Sequence, residues 1–248
     1  MRVLKVVAEG ITTSFRYPHF MYQIHPTYEM PPPATIYGHI ASALGEWFDP
    51  RKVRFAYHFS YAAKADDLEH IILLGPPEGS LPGFSHPRVL EGNVNPFRRT
   101  LLFQPRLVLY LDRSDWIDAF RSPKYAVVLG RSQDLFTYSA VSIIELQESD
   151  HAYLEHTLLP YSANRFTNRG YAVLMPRWID YVHGRRPTFE RYFIVHERIY
   201  CPEELLLFDQ DRAPRFWVDP QSPEVRGRHL GLVFHSFVGD DQASTSLS

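Results

Sequence analysis

The sequence predicts an α+β protein: a ferredoxin-like or RRM-like domain followed by a smaller β-rich C-terminal region. Three observations carry this expectation. Period-two apolar runs recur along the chain, only two segments have the apolar rhythm of a helix, and short β-like runs dominate after residue 160.

The first strand is RVLKVVAE, which alternates well enough to stand in a sheet. A loop rich in Pro, His and Tyr, FRYPHFMYQIHPTYEM, then leads into PPPATIYGHIASALGE. There Ile36, Ile40, Ala43 and Leu44 fall at helical spacing, and Gly45 is placed to end the helix. Proline suits a helix entry because its φ is already fixed, and Thr35 is expected to cap the amides that follow. With Ile36 and Ile40 inward, Tyr37 and Gly38 are expected to face out, where free amides at a helix start attract anions.

RFAYHFSYAA and HIILL read as two strands joined by the turn KADD. Residues 75–104 form an insertion dense in Gly and Pro, longer than a plain connection needs. LLFQPRLVLYL is a strand pair broken at Pro105. DRSDWIDAFRS is a short helix capped by Asp112 or Ser114 and stopped before Pro123, and TYSAVSIIEL is a further strand. Without the insertion, the order is βαββαβ. The expected units are residues 1–150, a β-rich region 151–238, and a tail 239–248 with nothing to bury, expected to be disordered.

A net charge of −2 excludes a globally basic nucleic-acid binder, but the basic residues are 22 Arg against 4 Lys. Arginine offers a planar fork for phosphate and a flat face for bases, whereas GC-rich codon usage raises arginine without any function. Clustering decides between these: residues 84–131 hold eight Lys/Arg and four Asp/Glu. A single cysteine, Cys201, allows no internal disulfide. No apolar run is long enough to span a bilayer, and MRVLKVVAEG is too short and too charged for a signal peptide, so a cytoplasmic location is expected.

A second polar stretch, VVLGRSQDLFTYSA, places Gly130, Arg131 and Ser132 in a turn between two apolar runs. Such a turn suits a phosphate held by a guanidinium, a hydroxyl and backbone amides; equally, Arg131 and Asp134 suit a pair of their own. His151 and His156 flank Glu155 at a spacing of five, which does not stack two ligands on one helical face. No Walker loop, dinucleotide fingerprint or nucleophile elbow is present, and neither a metal nor a cofactor is expected.

Taken together, Pro-Pro-Pro-Ala-Thr-Ile-x-Gly opening a helix that ends in Ala-Leu-Gly, and Leu-Gly-Arg-Ser-Gln-Asp-Leu about ninety residues later, resemble the Cas-five family. These are CRISPR-associated RAMP proteins of type I Cascade, and the motifs are most like the type I-B branch. The resemblance covers residues 1–147. It implies an RRM-like domain with a protruding β-hairpin thumb at the 75–104 insertion. It also implies a protein that holds the five-prime handle of the CRISPR RNA and contacts the Cascade backbone and large subunits, with target DNA nearby and one copy per complex. On this basis Thr35, Tyr37 and Gly38 lie beside the handle, Arg16 and Tyr17 reach its phosphates and bases, and Gly130, Arg131 and Ser132 form another wall. Arg98 and Arg99 belong to the thumb, with Arg88, Phe97 and Phe103 nearby; charge and flat faces together suit a single strand.

One branch of that family cuts its own CRISPR RNA without metal, using a tyrosine and an adjacent Lys–His pair at the second helix. Here that helix reads DRSDWIDAFRSPKY, with no histidine between His86 and His151. Lys124–Tyr125 is a weak substitute because tyrosine titrates near pH ~10, and His39 is the best single candidate for acid–base work. The expectation is a non-catalytic subunit, the alternative a metal-independent endoribonuclease and a third reading a protein-only scaffold whose arginines meet acidic partners.

Overall fold

The computed structural model describes residues 1–20, 23–74, 83, 92–165, 167–181, 183–204 and 215–238. The expected insertion loop around Arg88 and the expected tail 239–248 lie outside the described residues. The protein is α+β and mainly β. In chain order the first part comprises β1 (Arg2–Gly10), α1 (Pro33–Leu44), β2 (Arg54–Ser60), β3 (Ala63–Leu74), β4 (Gly92–Phe103), β5 (Arg106–Leu111), α2 (Ile117–Arg121) and β6 (Phe136–Glu145).

The main sheet runs β6–β1–β5–β2, with the late strand His235–Ser236 on the outer edge of β2, and every pairing is antiparallel. Alternation explains why β1 sits at its centre. Leu4, Val6 and Ala8 enter one core with Ile36, Ile40 and Phe120, whereas Val3 and Val7 enter a second with Tyr153, Leu230 and Leu232. Lys5 lies on the second face and survives burial by donating to Asp219 at 2.5 Å; the Tyr110 hydroxyl donates to the same carboxylate at 2.7 Å.

Two strand expectations need correcting. KADD is not a turn: β3 runs unbroken through it, paired with β4 from Ala63↔Phe103 to Leu74↔Gly92. Of the carboxylates that suggest a turn, Asp66 is used on the ladder, accepting from Thr100 Oγ1 at 2.8 Å, while Asp67 lies opposite Arg99 in register and accepts from the Leu68 backbone N–H at 2.8 Å. The inserted hairpin therefore begins at residue 63, not 75. Its base is held by Thr12–Thr13, antiparallel to β4, and by Ile24–His25, parallel to it.

The helix caps also differ from expectation. Asp112 does not cap α2; its carboxylate accepts from the Arg54 backbone N–H at 2.9 Å and Nε at 3.0 Å. Ser114 instead opens a 3-10 turn that leads into α2.

The C-terminal region supplies a five-stranded sheet ordered 147–149, 216–219, 230–232, 152–154, 199–201, and a three-stranded one, 157–160, 186–195, 171–180. Leu158, Met175, Tyr192, Ile194 and Phe237 join the same core as α1. Phe237 stacks on Phe55 with ring centroids 4.5 Å apart.

Candidate nucleic-acid interface

The proline run shapes the start of α1 through its carbonyls. Pro32 is the N-cap residue, and its carbonyl accepts from the backbone N–H of Thr35 at 2.8 Å and of Ile36 at 3.1 Å. Pro33 at the first helical position has no N–H to leave unpaired. Pro31 is buried and accepts from the Tyr57 hydroxyl at 2.9 Å. Thr35 lies inside the helix, not at its cap, and its side chain makes no capping bond.

Tyr37 does not face out. It is 2% exposed, its hydroxyl donates to the Phe48 carbonyl at 2.6 Å, and its ring meets Phe48, Phe237 and Tyr181. The Ile36/Ile40 stripe identifies one buried side of α1 only; the chain after the helix and the C-terminal region cover a second. Gly38 does stand open, since an added Cβ would meet nothing within 4 Å. His39 is buried, with Nδ1 2.9 Å from the Val128 carbonyl and Nε2 3.0 Å from the Tyr138 hydroxyl. Burial lowers its pKa and so favours a neutral ring.

The Gly130–Ser132 turn is closed by Asp134. This buried carboxylate accepts from the Arg131 backbone N–H at 2.8 Å, from its Nε at 3.0 Å and from its Nη2 at 2.7 Å. A further guanidinium nitrogen of Arg131 donates to Glu69 on β3. Glu69 also accepts from Arg99 Nε at 2.6 Å, so two arginines 32 residues apart in sequence meet on one carboxylate. Arg99 is itself buried, with its guanidinium over the Phe97 ring and 3.5 Å from His25 Nδ1. Glu69 ties the inserted hairpin to the Arg131 turn.

Gly130 is required by geometry. Its φ is +108°, and a Cβ there would sit 2.4 Å from Thr13 Oγ1 and 2.9 Å from the Ser14 carbonyl oxygen. Gly130→Ala is expected to cost about 2 kcal/mol from strain and overlap, read as a lowered Tm. A melt within about 0.5 kcal/mol of wild type would contradict this.

Three of the remaining candidates are open to solvent. Arg16 and Arg98 are exposed and have no ion-pair partner among the described residues, and Ser132 is exposed. Arg16 lies opposite Thr27, Arg98 lies opposite Ile24, and segment 24–28 thus places both at the base of the hairpin. Tyr17 is half-buried and stacks on Tyr28 at 3.7 Å.

No family model matches the sequence, and no curated protein matches it. Among solved structures, a chain of a "CRISPR RNA-guided surveillance complex" superposes with a TM-score of 0.52 at 14% identity, covering 85% of this chain and 95% of that one. The fold is one found in CRISPR-associated proteins. A CRISPR protein from Archaeoglobus fulgidus matches with a TM-score of 0.44 at 10% identity over 79% of this chain and 87% of that one. A chain of the Type III-B Cmr-beta complex bound to cognate target RNA and AMPPnP matches at 0.41 and 12%, over 81% and 86%.

The structure also assembles histidines that are far apart in sequence. The His156 ring stands between those of His58 and His196, with centroids 5.2 and 5.9 Å away. Glu155 takes two hydrogen bonds from Arg198, at 2.8 and 3.1 Å, and faces His58 at 3.8 Å. At the other end, Glu29 accepts from Lys64 and from the Tyr171 hydroxyl, and lies 2.9 Å from His196 Nε2. Among the described residues no three His, Cys, Asp or Glu groups are arranged to hold a metal ion, and His151 is exposed beside Asp150.

Burial and the neighbouring His58 push the His156 pKa down to about 4, while His196 is lowered by burial. A histidine whose folded pKa is depressed binds fewer protons folded than unfolded. Its contribution to stability is therefore full above pH ~6.5 and is lost as pH falls toward about 4. Glu155 acts lower. Burial opposes its charge, but hydrogen bonds from His58 and Arg198 hold it at about 2, so its contribution fades only below pH ~4.5. His156→Asn, which tolerates the positive φ of 48° there, is expected to flatten the Tm–pH curve between about 6.5 and 4. The change is about 1 kcal/mol after allowing for solvent screening of a half-exposed ring. An unaltered curve would remove His156 from the acid response.

Proposed function

We propose that this chain is a non-catalytic subunit of a type I CRISPR RNA-guided surveillance complex that holds the five-prime handle of the CRISPR RNA. The observation that carries the reading is its fold, joined to two exposed and unpaired arginines at the base of a long inserted hairpin. The antiparallel strand order β6–β1–β5–β2 supports reading the sheet as a ferredoxin-like or RRM-like unit, and the long β3–β4 hairpin inserted between β2 and β5 supports reading it as the thumb. In this reading Arg16, Arg98, Tyr17, Gly38 and Ser132 face the RNA. Thr35 and Gly130 shape the backbone beside it, while Tyr37, Arg99 and Arg131 hold those surfaces in place from behind. The hairpin and the C-terminal region would meet the backbone and large subunits.

Co-expression with neighbouring genes and a CRISPR array, followed by affinity capture and RNA sequencing, tests the proposal. Short RNAs sharing one repeat-derived five-prime end are the expected result; no enriched RNA would sink it.

The alternative, a metal-independent ribonuclease, draws on one observation: Tyr171, Lys64 and His196 converge on Glu29. A histidine oriented by a carboxylate suits general-base work, so this cluster is where cleavage chemistry would sit if the chain cut RNA. Repeat RNA incubated with the purified chain in EDTA is expected to stay intact, and specific cleavage would favour the enzyme.

A further inference from the structure

The chain after α1 carries an aromatic surface that the handle reading does not use. Trp47 is 58% exposed, although a ring of this size normally buries most of its area. One of its faces is stacked on Tyr181 at 3.7 Å with planes 21° apart, and Tyr37 lies parallel to it, 2° off, with centroids 5.9 Å apart. Tyr37 is fixed by its bond to Phe48 and by the edge of Phe237, and Phe48 packs on Phe237 in turn. Trp47 is therefore held from behind by the part-buried Tyr181 and the buried Tyr37 while much of its surface meets water. A ring held this way loses little freedom when a second flat group stacks on it.

The charges around it select the class of ligand. The Arg185 guanidinium lies 5.8 Å from the centre of the Tyr181 ring, and Arg185 and Arg186 are both exposed. The nearby carboxylates Asp49 and Asp180 are engaged by Arg51 and His183. Lys52 is exposed and stands 4.0 Å from Asp49, and Glu46 is exposed on the other sign. Net positive charge beside a fixed flat face matches a base with its phosphate, since stacking is tolerant of base identity and phosphate needs a cation.

We propose that Trp47, backed by Tyr181 and flanked by Arg185, is a stacking platform for one unpaired base of a single strand passing outside the handle site. This rests on the reading that the chain works on nucleic acid. RNA and displaced DNA share the chemistry, so both belong in the test.

The experiment titrates the purified complex, wild type and variants, with a short unstructured oligoadenylate as RNA and as DNA across a salt series. Trp47→Ala is expected to weaken binding of at least one strand by roughly 5- to 100-fold. Because stacking releases no counterions, the salt slope is expected to stay unchanged. Trp47→Phe should recover part of the loss, and Arg185→Glu should weaken binding with the platform ring intact. The strand that responds identifies the source. Trp47→Ala that keeps wild-type affinity for both strands overturns the platform. Should Arg16→Ala/Arg98→Ala abolish handle capture in the same preparations, the handle reading stands alone. The reverse pattern keeps the platform and removes the handle assignment. If nucleic-acid affinity is unchanged while co-purifying subunits are lost, Trp47 belongs to a protein interface and the proposal fails.

Discussion

Asp134→Ala is expected to lower stability by about 3 kcal/mol, a fall in Tm of roughly 6–12 °C for a chain of this size. The carboxylate is buried and fully engaged: three donors come from Arg131, and Thr12 Oγ1 lies 3.3 Å away. Alanine would leave a largely buried guanidinium with only Glu69, which it already shares with Arg99. It would also leave the Arg131 amide without its acceptor at the centre of the Gly130 turn. Asp134→Asn keeps one acceptor and should lose about half as much. Arg131→Ala should be similarly destabilising, because it strands the buried carboxylate instead. The double variant should be clearly better than the sum of the singles, since neither partner is then left uncompensated. Chemical and thermal melts of the four proteins decide this. Additive losses, or an Asp134→Ala loss below about 1 kcal/mol, would show that the pair does not hold the turn.

That network marks where sequence reading reached its limit. Local pattern identified the strands of the main sheet, both helices and the break at Pro105, because alternation, helical spacing and proline act within a few residues. The KADD segment failed for the opposite reason. Asp66 and Asp67 favour turns in isolation, but Thr100 across the ladder gives Asp66 a partner that only pairing supplies, and strand pairing carries Asp67 along opposite Arg99. Tyr37 failed likewise: helical periodicity identifies one buried stripe, and the second cover of α1 comes from Phe48, Tyr181 and Phe237.

For the candidate site, residue type alone made Arg16, Arg98, Arg99 and Arg131 equivalent. The fold separates them, with Arg99 and Arg131 locked on Glu69 and Arg16 and Arg98 left open. The i,i+3 spacing of Arg131 and Asp134 was a readable signal of pairing, whereas Glu69 lies 62 residues from Arg131 and gave none. The Glu29–His196 and His58–Glu155 clusters were equally hidden, being assembled from strands distant in sequence.

The separation of the arginines sets the second large effect. Arg16→Ala/Arg98→Ala is expected to weaken capture of handle RNA about 100-fold at moderate salt, near tenfold for each charge-assisted contact removed. Each neutralised single-strand phosphate contributes about 0.7 to the slope of log K against log salt, so the double variant should be shallower by about 1.4. Both side chains are exposed and neither has an ion-pair partner among the described residues, so the melt should stay within about 0.5 kcal/mol of wild type and the loss cannot be assigned to unfolding. Arg121→Ala is the matched control: it is exposed on α2, 3.9 Å from Asp118, and should leave affinity and slope as they are. Arg131→Ala, measured where it remains folded, should likewise leave the slope unchanged, because two carboxylates already neutralise that guanidinium. Were the Arg16/Arg98 double variant to keep its slope while Arg131→Ala lost it, the RNA would have to displace Glu69 and Asp134. The wall of the handle site would then be the Gly130 turn and not the base of the hairpin.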